Sequence, residues 1–244
     1  MLVKTEFVDL PTEKSPMRTM IARPADEGRH PGLLLYTDIF QLTESMQRAI
    51  VRFASYGFVV AAPEIYHRFE KSGRAFAFVE DYDAAEGAAR QLHVSDVDED
   101  RRVALAYLAG HPNVGTKSLH ALGFCIGGHL AFRAALEPEV RSTVCFYPTG
   151  LDDGNVGADT NVDSLMHAGE IKGDLLVICG TNDPRVPLAA RRIIDDSLRK
   201  AGTRYQFSEY EGAHAFMRDV GERYNPSETD RAVAQTVSFL HAHT

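Results

Sequence analysis

The segment Leu119-His120-Ala121-Leu122-Gly123-Phe124-Cys125-Ile126-Gly127-Gly128 decides how the rest of the chain is read. Its first half is an apolar run suited to a buried strand, and the stretch from His129 to Leu136 reads as a helix. Between them the chain must turn sharply. Gly123, Gly127 and Gly128 keep side chains out of that crowded turn, and Cys125 stands at its apex, where the G-x-S-x-G arrangement places a nucleophile. The start of the following helix favours a thiolate there. The competing reading of any cysteine at a strand end is a buried, inert thiol. Cys145 and Cys179, each inside an apolar strand pattern, are assigned to that class. A phosphate-binding loop is disfavoured, because the run lacks both G-x-G-x-x-G spacing and a G-K-[ST] ending.

Working outward, Met17 to Pro24, Gly32 to Thr37 and Phe58 to Ala62 predict strands before this segment. Thr43 is expected to cap a helix carrying Met46, Ile50 and Phe53 on one face, and Gly57 to stop it. Residues 76 to 110 predict two helical pieces, with Ser95 and Asp98 as a capping box for the second. Val140 to Tyr147, Leu175 to Cys179 and Tyr205 to Tyr210 predict further strands, and Pro187 to Lys200 a helix. Ser227 with Asp230 is expected to cap a last helix. Residues 150 to 170 are polar and rich in glycine, and are expected to form a loop on the rim of a pocket. Strands alternating with helices predict an α/β fold: a mostly parallel sheet of about eight strands with helices on both faces, forming one domain over residues 1–244. Ligands of such sheets sit beyond the C-terminal strand ends.

Composition narrows the function classes. The chain of 244 residues is 44% hydrophobic, enough for a sizeable core. It carries 26 Lys and Arg against 34 Asp and Glu, a net charge of −8, with no basic run of the kind a nucleic-acid partner requires. Neither a membrane-spanning stretch nor a signal-peptide pattern is read at the N-terminus, and three cysteines argue against a disulfide framework. A cytoplasmic protein, monomeric or homodimeric, with no nucleic-acid or membrane partner is expected. No H-E-x-x-H or C-x-x-C occurs, so no metal is expected.

A thiol nucleophile needs a base, and the base an orienting acid. In this architecture they follow in the order nucleophile, acid, histidine. Asp183, in Gly180-Thr-Asn-Asp-Pro-Arg-Val-Pro187, follows one predicted strand, and His214, in Glu211-Gly-Ala-His-Ala-Phe216, follows the last. Asp152 and Asp153 are rival acids in the glycine-rich loop, and His241 and His243 are weak rivals near the C-terminus.

Gly-Phe-Cys125-Ile-Gly-Gly, Gly-Thr-Asn-Asp183-Pro-Arg-Val-Pro and Gly-Ala-His214-Ala-Phe-Met-Arg218 resemble the three signatures of the dienelactone hydrolases, a cysteine-nucleophile branch of the α/β-hydrolases. The resemblance runs from about Gly32 to the C-terminal helix. It implies Cys125 as nucleophile, His214 as base and Asp183 as orienter, with no cofactor. It further implies an oxyanion hole from the backbone N–H groups of Ile39 and Ile126. The family has a glutamate that is paired at rest with an arginine and then takes the thiol proton; the corresponding positions are Asp38 and Arg218. Asp38 is one methylene shorter, so a fixed Asp38–Arg218 pair stays open as the alternative. Arg68 or Tyr82 is a candidate for the pocket wall, and the chain has no tryptophan to supply an indole contact. The implied activity is hydrolysis of a small lactone or ester. A carboxylesterase acting on neutral esters and a non-catalytic thiol sensor or ligand-binding protein are the alternatives.

Overall fold

Among the described residues eight strands form a single sheet, in the spatial order Val3–Leu10, Met17–Pro24, Val59–Pro63, His30–Tyr36, Val114–Phe124, Val140–Phe146, Asp174–Gly180 and Tyr205–Tyr210. The computed structural model describes residues 1–115 and 119–244. The strands are β1 (Val3–Leu10), β2 (Met17–Pro24), β3 (His30–Tyr36), β4 (Val59–Pro63), β5 (Val114–Phe124), β6 (Val140–Phe146), β7 (Asp174–Gly180) and β8 (Tyr205–Tyr210). The pairs β1/β2 and β2/β4 are antiparallel, and every pair from β4 through β3 to β8 is parallel. The central strands carry continuous apolar runs. Leu33, Leu34, Leu35, Val59, Val60, Leu176, Val177 and Ile178 are all fully buried, the pattern of strands covered on both faces.

The helices are α1 (Glu44–Ser55), α2 (Tyr82–Ala89), α3 (Val94–Gly110), α4 (Ile126–Ala134), α5 (Leu188–Ala201) and α6 (Pro226–His241). An Arg52–Asp230 ion pair joins α1 to α6. Asp98 of α3 takes both Arg101 and Arg133, tying α3 to α4. None of the described helices is long and apolar enough to cross a membrane.

Two caps differ from expectation. Thr43 does cap α1, accepting from the Met46 amide. At α3, however, the first amide, that of Val94, donates to Asp159 at 2.7 Å, and Asp98 is spent on the arginines. At α6 the cap is Asn225, with Pro226 in the first turn, rather than Ser227 with Asp230. Distant or earlier acceptors outcompeted the local box in both cases.

The sequence reading missed β1. Four of its first five residues are exposed, so it lacks an apolar run; pairing with β2 along its whole length makes it a strand. Residues 150–170 form turns and a 3₁₀ helix, Ser164–Glu170. Val156, Ser164 and Ala168 are buried, with Ser164 Oγ held by His129 Nε2 at 2.8 Å. Of this region only Thr149, just before it, reaches the main pocket, so the expected rim lies elsewhere.

Candidate active site

Cys125 joins β5 to α4 with φ 60° and ψ −123°, a left-handed conformation that a non-glycine residue adopts only under constraint. Backbone bonds supply that constraint: Cys125 N donates to Phe146 O (3.0 Å), and Gly128 N and Thr149 N donate to Cys125 O (2.9 and 3.2 Å). The spacing of the glycines now has its cause. A Cβ on Gly123 would lie 1.8 Å from Gly127 O, and one on Gly127 would lie 2.2 Å from Thr37 O. Both obstacles are backbone and cannot swing aside. Gly123→Ala is therefore expected to destabilise the fold by at least about 3 kcal/mol. A urea midpoint equal to wild type would overturn this account of the elbow.

Asp183 follows β7. Its Oδ1 accepts from the amides of Arg185 (2.7 Å) and Val186 (3.1 Å), which fixes the carboxylate. Its Oδ2 lies 2.8 Å from His214 Nδ1, in the loop after β8. An ionised carboxylate only accepts, so Nδ1 carries the proton and Nε2 is the free nitrogen. Nε2 is buried and makes no hydrogen bond of ordinary geometry, yet the Cys125 sulfur is close enough to act on it electrostatically. Burial alone disfavours the imidazolium; the neighbouring Cys125 sulfur and the bond to Asp183 outweigh it and lift His214 to about 9. Tyr147 packs edge-on against the imidazole, ring centroids 5.0 Å apart. Thr149, which sequence reasoning overlooked, brings Oγ1 to 3.6 Å from Cys125 Sγ. No local motif marks it; it is recruited because the chain after β6 passes beside the elbow.

Asp38 and Arg218 meet across 180 residues, Arg218 Nη2 to Asp38 Oδ2 at 3.1 Å. The other Asp38 oxygen accepts from the Phe40 amide at 3.0 Å. Burial pushes the Asp38 carboxyl up from the usual aspartate range, and Arg218 and the Phe40 amide pull against it. The loop's internal bonds use the amides of Phe40 and Gln41 and leave that of Ile39 aside. Ile126, first residue of α4, has an amide with no acceptor in its own helix. Both isoleucines and Cys125, His214, Asp38 and Arg218 line one cavity of about 950 Å³.

That cavity is walled by residues 77–90 and 220–223, not by the 150–170 segment. Tyr82 belongs to the wall. Arg68 does not: it pairs with Glu99 and Asp100, where Asp100 also binds His67. Asp152 and Asp153 lie outside the cavity lining, and Asp153 caps the Asn155 amide of its own turn. His241 stacks on Phe58 and bonds Tyr56 O, and His243 bonds Phe239 O, so neither faces the pocket. Cys145 and Cys179 are fully buried in β6 and β7, and burial pushes both thiols well up.

The chain resembles known proteins along nearly its whole length. A Saccharomyces cerevisiae protein provisionally named a carboxymethylenebutenolidase is 32% identical over 250 residues, covering 98% of this chain and 90% of that one. The carboxymethylenebutenolidase of a Pseudomonas species is 27% identical, covering 87% and 85%. Among solved structures, a provisionally assigned dienelactone hydrolase of Klebsiella pneumoniae superposes with TM-score 0.81 at 19% identity over 99% of both chains, and shares the α/β-hydrolase fold. The dienelactone hydrolase family model matches residues 17–244, and the chain belongs to that family.

Proposed function

We propose that this protein hydrolyses a small lactone or ester through a thioester formed on Cys125. The observation that carries the reading is the convergence, in one cavity, of a cysteine held in a strained elbow and a histidine paired with a buried aspartate. The lactone-hydrolase names of its relatives support the same class.

In the proposed cycle the Cys125 sulfur attacks the substrate carbonyl and the oxygen takes up negative charge. The amides of Ile39 and Ile126 bind that charge where it develops. The carbonyl–oxygen bond then breaks, and the His214 imidazolium gives its Nε2 proton to the departing alkoxide. Neutral His214 next takes a proton from water as the water attacks the thioester. The carbon–sulfur bond breaks, the acid leaves, and the thiolate–imidazolium pair is restored. Asp183 holds the ring and stabilises its charge throughout. A stopped-flow burst of 4-nitrophenol from 4-nitrophenyl acetate, followed by steady turnover, is the expected result. Labelling of Cys125 with no turnover of any ester or lactone would make the protein a thiol sensor instead.

Asp38 is proposed as a structural partner of Arg218 rather than a mobile proton carrier, because both its oxygens are engaged and its carboxyl is buried beneath a half-buried Arg218. Removing Arg218 leaves the buried Asp38 carboxyl without its counter-charge, at a cost of up to about 3–5 kcal/mol. Arg218→Met is therefore expected to lower the melting temperature and to reduce hydrolysis of neutral and acidic substrates together. A selective loss on acidic substrates with unchanged stability would make Arg218 a substrate anchor.

A further inference from the structure

Three of the arginines that line the cavity already bind carboxylates: Arg218 binds Asp38, and Arg185 and Arg90 share Glu86. Four carboxylates and four guanidiniums line it. Arg218, nearest the elbow, donates to Asp38, and its guanidinium carbon lies 4.1 Å from the Phe78 ring centre and 4.8 Å from that of Phe40. The two rings themselves pack edge to face at 4.9 Å. The guanidinium packs against both rings, its Nη2 is committed to Asp38 and its Nε is buried without a partner, so a substrate anion would have to compete with that carboxylate for it.

The second cationic group is silenced from α2. Arg185, two residues beyond Asp183, reaches across the cavity mouth to Glu86 at 2.9 Å and to the Tyr82 hydroxyl. Tyr82 also donates to Glu86 Oε1 at 2.8 Å, and Arg90 occupies the other oxygen at 3.1 Å. The remaining charges, on Glu80, Glu222 and Arg223, are on the exposed rim, where water screens them. Between them the wall is apolar: Ile39, Phe40, Phe78, Val79 and Val220. A carboxylate entering this space would lose its hydration and would have to compete with Asp38 and Glu86 for Arg218, Arg185 and Arg90, while the net charge of −8 offers no long-range attraction.

We propose that the pocket selects an uncharged ester or lactone with an apolar body and discriminates against one that bears a carboxylate, with Glu86 as the residue that sets this preference. The proposal rests on the hydrolase reading above. It departs from what the relatives' name, with its carboxymethylene group, denotes for those proteins.

The test compares 4-nitrophenyl hexanoate with mono-4-nitrophenyl adipate, which differ only in a terminal methyl against a carboxylate. Wild type is expected to show kcat/KM at least about tenfold higher for the hexanoate, the scale of one uncompensated charged contact. Equal rates or a preference for the adipate would overturn the proposal while leaving the hydrolase reading intact. Failure to turn over either ester, or any other ester or lactone, would remove the hydrolase reading itself. Glu86→Gln frees Arg185 and Arg90 and is expected to shift the ratio toward the adipate by about tenfold. Adding Arg185→Met to that variant is expected to reverse much of the shift. An E86Q protein with the wild-type ratio would overturn the role of Glu86, and the wild-type ratio remains a complete test of the substrate class should E86Q not fold.

Discussion

Cys125→Ala is expected to lower kcat by a factor on the order of 10³ or more without loss of the folded state. The two halves of this expectation have separate causes. The chemistry is lost because the other thiols, Cys145 and Cys179, are fully buried in strands and burial holds them protonated. Neither can stand in for the sulfur at the elbow. The fold survives because the strained turn is held by backbone bonds to Phe146, Gly128 and Thr149, none of which uses the sulfur. An alanine Cβ occupies the same place as that of cysteine, so only one heavy atom is removed. The measurement is kcat on a chromogenic ester beside a thermal melt. Activity within a few fold of wild type would place the nucleophile elsewhere.

His214→Ala is expected to be about as damaging, since a nucleophile and its base act as one unit and their losses do not add. The double variant with Cys125→Ala should then be little worse than either single change. Here stability also moves. Asp183 Oδ2 is buried against His214 Nδ1, and deleting the ring leaves that oxygen without its donor, at a cost of about 1–3 kcal/mol. Asp183→Asn is milder on both counts. The amide keeps the shape and can still accept from Arg185 and Val186, but it carries no charge to support the imidazolium. Normal turnover in His214→Ala, or its loss on changing His241, would show that the base had been wrongly chosen.

How much of this was legible in the chain depended on how local each code is. The elbow was readable because its constraint is steric and short-range: a Cβ at Gly123 meets Gly127, four residues on. The parallel strands were readable because burial on both faces demands runs such as Gly32 to Tyr36 and Leu175 to Cys179. Asp183 and His214 were readable as loop residues after strands, since parallel strands deliver their C-terminal ends to one edge of the sheet. The edge strand β1 was not, because only its pairing with β2 makes it regular.

Electrostatic partners had no such local code. The first amide of α3 went to Asp159, 65 residues on, whereas at α6 the local Asn225-Pro226 start, itself a sequence signal, displaced the expected box. Arg218 and Asp38 are 180 residues apart, and Arg185 and Glu86 are 99 apart. Sequence alone, aided by the family resemblance, admitted Arg218 either as a partner of Asp38 or as a receptor for a substrate carboxylate. The Asp38 contact and the packing of Arg218 against the ring of Phe78 exist only in the tertiary structure, because the segments that carry these residues are far apart in the chain and meet only when it packs.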